Sequence, residues 1–122
     1  MIETAVVAAL LADATVAGLV GEGIYPMAVP QGAPVPAIVY QRIFTGPLHT
    51  LVGDEGSDDV RLQLSCWAPS YAVAKALAAA ARAALTAAAS LSLRTTGAID
   101  YRDEETRHYG VILDVNLWQR GP

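Results

Sequence analysis

Two periods of hydrophobicity run along the chain, and they switch several times. In the first segment Ile2, Val6, Ala9, Leu10 and Ala17 recur at helical spacing, and Val7 and Leu11 widen the stripe. The pattern predicts one helix from Ile2 to about Leu19, ended by Gly18, Gly21 and Gly23. Ala37 to Thr45 has a period of two, with Ile38, Tyr40 and Arg42 on one face and Val39, Gln41 and Ile43 on the other. Val60 to Pro69 alternates more cleanly: Val60, Leu62, Leu64 and Cys66 point one way, Arg61, Gln63, Ser65 and Trp67 the other. Helical character returns at Tyr71 to about Ala89, where alanine fills twelve of nineteen positions and Ser70 supplies an N-cap. Its apolar stripe reads Val73, Leu77, Ala80, Ala84 and Ala88. Ser90 to Gly97 and Ala98 to Gly110 suggest a further strand and a charged turn. Tyr109 to Arg120 reads as a last strand, with Tyr109, Val111, Leu113, Val115 and Leu117 opposed to Ile112, Asp114, Asn116 and Trp118. The order helix, strands, helix, strands predicts an α+β fold: a mostly antiparallel sheet with two main helices on one face. No repeat or linker divides the chain, so residues 1–122 are expected to form a single domain.

Between the first helix and the first long strand lies "IYPMAVPQGAPVPAIVYQ", with four of the seven prolines. "GIYP" reads as a short extended piece stopped by Pro26. Pro30, Pro34 and Pro36 each fix φ, remove a backbone donor and push the preceding residue toward extended conformations. Ala28 to Pro36 is therefore expected to form a stiff, polyproline-like arm with a turn at Gln31-Gly32. Such an arm loses little entropy on ordering. It can lie on its own sheet or against a neighbouring subunit.

Composition narrows the function classes. Hydrophobic residues make up 53% and charged residues 16%, which argues against disorder. Much of the apolar content is alanine, so a thin core and leftover apolar surface are expected. A net charge of −4 argues against nonspecific binding to nucleic-acid phosphates. One cysteine, Cys66, rules out an internal disulfide and a cysteine-rich zinc site. The apolar run Ala5 to Val20 has no basic region before it and is interrupted by Asp13, so it reads as a helix of a soluble domain rather than a membrane span.

No catalytic constellation stands out. His49 and His108 lack partners at metal-ligand spacing and read as solvated. "GDEGSDD" lacks the calcium-loop pattern and reads as part of an acidic loop or flexible hairpin, Gly46 to Asp59, with four carboxylates and no Lys or Arg. "RDEETR" reads as an exposed turn of mixed charge. Cys66 falls on the apolar face and reads as a small buried hydrophobe. GxGxxG, GxxxxGK[ST] and GxSxG are absent. The expectation is a protein with no enzymatic activity, no catalytic or metal-binding residues and no cofactor. Trp67 and Trp118 stand on the less apolar strand faces, where they either cover the core edge or make a subunit contact.

Three stretches together carry a resemblance. "GEGIYPMAVPQGAPVPAIVYQRI", then "VRLQLSCWAPSYAVAKALAAAARAAL", then a last strand ending "DVNLWQR" resemble the small tail-completion, or tail-terminator, proteins of long-tailed bacteriophages and gene transfer agents. The matching positions are Ile24-Tyr25-Pro26, Pro30-Gln31-Gly32, Pro34, Pro36, Ile38 to Gln41, Gln63, Cys66 to Ala68, Ser70-Tyr71, Ala74, Leu77, Leu85, Asp114 and Trp118.

The resemblance implies a hexameric ring at the head-proximal end of the virion tail. That ring caps the tail tube, ends its polymerisation and joins the tail to the head connector. Assembly in the bacterial host cytoplasm is implied as well. The implied partners are further copies of the chain, the major tail tube protein and a head-completion or stopper protein. DNA passes through the channel without specific binding, and no membrane is involved. Candidate interface residues are Tyr25, Pro26, Pro30, Gln31, Pro36, Trp67 and Trp118. Candidates for loop contacts or channel lining are His49, Asp54, Glu55, Asp58, Asp59, Arg102, Glu104 and Arg107. Two other readings remain open at the level of sequence: another neck component, such as a head-completion or stopper protein, and a small non-virion adaptor that binds a peptide on a sheet edge.

Overall fold

The apolar period-two faces and the alanine-rich helix meet in one core. A computed structural model describes residues 2–50, 53–88 and 93–120. It contains α1 (Ile2–Leu11), α2 (Ala14–Val20), β1 (Ile24–Pro26), β2 (Ala37–Thr50), β3 (Gly53–Ala68), α3 (Tyr71–Ala87), β4 (Leu93–Arg102) and β5 (Tyr109–Arg120). The five strands form one sheet in the order β1-β2-β3-β5-β4. β1 pairs parallel with β2, and the other pairings are antiparallel. The fold is α+β, as the pattern predicts.

The N-terminal segment departs from the single helix expected over Ile2 to Leu19. It is two helices, bent by 93° at the break between them. The cause is Asp13, whose carboxylate accepts from the amides of Thr15 (2.9 Å) and Val16 (3.0 Å) and so starts a new helix at Ala14. Val6, Leu10, Val16 and Val20 point into the core, whereas Leu11 is exposed. No single helix among the described residues is long and apolar enough to cross a membrane.

α3 begins at the expected cap, with Ser70 Oγ accepting from the Val73 amide at 3.3 Å. Its buried stripe is Ala74, Leu77, Ala78, Ala81, Ala84 and Leu85. Leu77 and Ala84 of the expected stripe are buried, whereas Val73, Ala80 and Ala88 are only partly so. Alanines on every side leave the pattern without contrast, and Leu77 and Leu85 together set the orientation. Leu77 and Leu85 pack with Leu62, Leu64, Val111, Leu113 and Leu117 from the sheet.

Of the two readings of Gly46 to Asp59, loop or flexible hairpin, the structure adopts the hairpin. β2 runs to Thr50 and β3 starts at Gly53, with Gly46 paired to Asp59 and His49 to Asp54. Irregularities between Arg42 and Phe44 and between Pro47 and His49 accommodate the departures from regular pairing. β5 accompanies β3 only from Ser57 onward, so the end of this hairpin extends past the rest of the sheet.

All three helices cover one face of the sheet. On the other face the strands align in cross-strand rows. Val39, Ser65, Ile112 and Ile99 form one row, Gln41, Gln63, Asp114 and Gly97 the next, and Ala37, Trp67, Gly110 and Tyr101 the row on the other side. The proline arm lies over the Val39–Trp67 corner of this face. The rest has no helix on it.

Candidate subunit interface

The arm leaves β1 at Pro26, turns at Gln31-Gly32 and returns to β2 at Ala37. Gly32 takes a left-handed φ of 84° at the turn. Met27 also adopts a positive φ, 71°, and its side chain is 66% exposed. Its amide donates to the Tyr40 carbonyl at 3.0 Å and anchors the start of the arm to β2. The Val35–Pro36 peptide is cis.

Arm and sheet enclose an open cavity of about 470 Å³. Val39, Gln41, Ser65 and Trp67 belong to its sheet wall, Met27 to Ala33 and Val35 to its arm wall, and Asp103, Thr106 and His108 to its far end. Of the two placements open to the arm, the subunit itself adopts the one on its own sheet. Val39 is thereby buried, although it stands on the face away from the helices.

Beyond the arm the bare face carries an apolar patch on β4, beside the polar row of Gln41, Gln63 and Asp114. Ile99 is 63% exposed and Tyr101 54% exposed, a high exposure for two large side chains side by side on one strand face. Trp67 contacts Tyr101 edge-on, with ring centroids 5.9 Å apart. On the helix side of β4 the intervening Asp100 accepts from the Tyr71 hydroxyl at 2.6 Å and pairs with Lys75 at 2.9 Å. These contacts hold the Asp100 carboxyl below the usual carboxylate range, the Tyr71 hydrogen bond first and Lys75 next. The bond to Asp100 raises the Lys75 ammonium in turn.

The structure gathers some of the sequence candidates and separates others. Pro30, Gln31 and Trp67 line the one cavity. Tyr25 and Pro26 stand in β1 at the sheet edge, and Pro36 sits where the arm joins β2. Arg102 and Glu104 form an ion pair at 2.9 Å, which raises the Arg102 pKa. Arg107 is exposed in the turn with a positive φ of 61°. The backbones of His49, Asp54, Glu55, Asp58 and Asp59 lie in the β2–β3 hairpin, and Trp118 is in β5 opposite Asp59. Their side chains lie outside the described residues. Met27, Ile99 and Tyr101 escaped the sequence reading. The alternation Ile99, Asp100, Tyr101, Arg102 was the available signal, obscured by the charged turn that follows it.

Chemically, the arrangement offers surfaces for packing. No group of three or more His, Cys, Asp or Glu among the described residues is placed to hold a metal ion. Burial pushes the Cys66 thiol up to about 12, which leaves it protonated and a poor nucleophile near neutrality.

Known proteins support this description. The fold matches a chain from the virion of a native gene transfer agent particle with a TM-score of 0.66 and 28% identity, over 95% of this chain and 92% of that one. No curated protein matches the chain in sequence. The family model for tail completion protein gp17 matches residues 4–120, in keeping with the resemblance carried by the proline segment, the strand-to-helix unit and the last strand. The chain belongs to the tail completion protein gp17 family.

Proposed function

We propose that this tail completion protein caps the head-proximal end of the tail tube as a ring of six copies. The ring ends tube polymerisation and joins the tail to the head connector. Each subunit acts as one domain spanning residues 1–122, assembled in the host cytoplasm. Family membership and the likeness to a gene transfer agent virion chain support the structural role in the tail.

The observation that carries the ring is the bare sheet face. A free subunit exposes Ile99 and Tyr101 there beside Trp67 and Ile112, and burial of such surface against a neighbour is what drives stable association. The sheet-edge residues Tyr25 and Pro26, the arm residues Pro30, Gln31 and Pro36, and the strand residues Trp67 and Trp118 are assigned to contacts between subunits and partners. The exposed turn with Arg102, Glu104 and Arg107 is assigned to the same class of contact. The projecting hairpin brings the positions of His49, Asp54 and Glu55 beyond the paired end of β5, with Asp58 and Asp59 just inside it, opposite Gln119 and Trp118. In the ring these acidic positions line the channel, where negative charge lets DNA slide rather than stick. The tail tube protein and a head-completion or stopper protein occupy the two ends of the ring.

Electron microscopy of particles made with the gene deleted and then restored tests this role. Filled heads without tails, with unattached tubes of uncontrolled length, are expected on deletion. Normal tailed particles would overturn the proposal.

A further inference from the structure

We propose that neighbouring copies in the ring meet front to back: the outer face of α3 on one subunit packs on the bare sheet face of the next, with Arg82 opposite Asp114. This contact rests on the ring reading above.

The two surfaces lie on opposite sides of the subunit and complement each other. On the sheet, Asp114 is half-buried in the middle of the bare face, between Gln63 and Gly97 and one row from Ile112 and Ile99. Among the described residues no cation forms an ion pair with it. Arg61, also on this face, stands one row further on beside Asn116. On the helix, Ala72, Ala76, Ala79 and Ala83 form an exposed line with no bulk to hold another chain away. α3 carries Lys75 and Arg82 and no carboxylate. Lys75 is held by Asp100, whereas Arg82 is exposed and has no ion pair among the described residues. A flat helix face on which Arg82 is the cation without an ion pair therefore fits a sheet face whose central carboxylate, Asp114, stands between the apolar row of Ile112 and Ile99 and the row that holds Arg61, Asn116 and the position of Arg94.

Because the two surfaces differ, the contact is heterologous. Each copy offers one of each, so association grows head to tail and either closes into a ring or runs on as a filament. Opposite charges at the centre of such a contact fix its register, and like charges there disfavour it strongly.

Charge reversal tests the assignment. Arg82→Glu and Asp114→Arg, each alone, are expected to reduce ring formation on tail tubes at least about tenfold. The readout is six-fold density at tube ends together with native mass spectrometry of released complexes. An equimolar mixture of the two variants is expected to restore rings, since each altered helix face then meets an altered sheet face and six copies can alternate around a closed ring. The Arg82→Glu, Asp114→Arg double variant should assemble as well. The neutral variants Arg82→Gln and Asp114→Asn, which keep side-chain size, should show a smaller loss and no recovery on mixing. Wild-type levels of rings from the single reversals, or no recovery in the mixture, would overturn the front-to-back contact while leaving the ring intact. Wild-type tubes with no six-fold ring would instead defeat the ring reading itself.

Discussion

The indole of Trp67 lies across Gly110. A Cβ at position 110 would stand 2.8 Å from Cζ3 and 2.9 Å from Cε3 of that ring, closer than side-chain carbons pack. The two residues are register partners on β3 and β5, so the missing side chain on one strand makes room for the largest side chain on the other. Tyr101, the other neighbour of Gly110 in the same row, completes the arrangement by meeting the indole edge-on. Trp67 thereby lies flat enough to form a cavity wall beneath the arm.

Gly110→Ala is expected to destabilise the protein by about 1–3 kcal/mol, the usual cost of forcing extra volume into a filled site. In a Trp67→Leu background the same substitution should cost far less, because the ring that opposes it is gone. Urea denaturation of the two single variants and the double variant checks this. Equal costs in both backgrounds would show that the indole is not what keeps residue 110 a glycine.

The strands were legible wherever one face is apolar and the other polar. Val60 to Ala68 and Tyr109 to Arg120 are such segments, and their register follows from burying Leu62, Leu64, Leu113 and Val115 on one side. Legibility failed where composition removes contrast. In α3, alanine on every face hid which line is buried. In Gly46 to Asp59, glycine, proline and carboxylates left loop and hairpin both open, and the pairing of β2 with β3 decides for the hairpin over those weak local preferences. The candidate interface was half visible. The prolines and Trp67 announced themselves by type, whereas Ile99 and Tyr101 acquire meaning only once β4 is seen to be an edge strand with no helix over that face.

The bend at Asp13 yields a second prediction. Its carboxylate satisfies two amides that α2 would otherwise leave without partners. Asp13→Ala is expected to cost about 1 kcal/mol, and Asp13→Ser or Asp13→Asn much less, because those side chains also cap. Thermal unfolding of the three variants reads the order directly. An Asp13→Ala variant as stable as the parent would mean that packing of Val16 and Val20 alone sets the bend.

The Tyr71–Asp100–Lys75 cluster ties the start of α3 to the edge strand and should respond to pH at both extremes. Asp100 has a lowered pKa in the folded state, so its contribution is present above the ordinary carboxylate pKa and is lost as pH falls through the lowered folded value. Lys75 has a raised pKa, so its contribution is present below the ordinary lysine value and fades as pH rises through the raised one. Both groups are solvent-exposed, so the effect is small and screened by salt. Asp100→Asn should flatten the acid limb of a stability-against-pH curve measured in low salt. An acid limb identical to the parent's would assign that dependence to other carboxylates.

Cys66 gives the sharpest chemical readout of the core. It is fully buried among the apolar residues between the sheet and helices, and its thiol pKa is pushed up to about 12 from an ordinary value of 9.0 by loss of solvent alone. A raised folded pKa means that stability is unaffected by this group at neutral pH and declines as pH climbs above about 9, where the unfolded chain ionises first. At pH 8 the native protein should therefore resist alkylation by iodoacetamide, with modification proceeding only as fast as the core opens and becoming rapid in urea. Cys66→Ser should cost about 1–3 kcal/mol, since a hydroxyl in that position is buried among hydrocarbon without a partner. Fast alkylation of the folded protein, uncoupled from unfolding, would place the thiol at an accessible surface and overturn this account of the core.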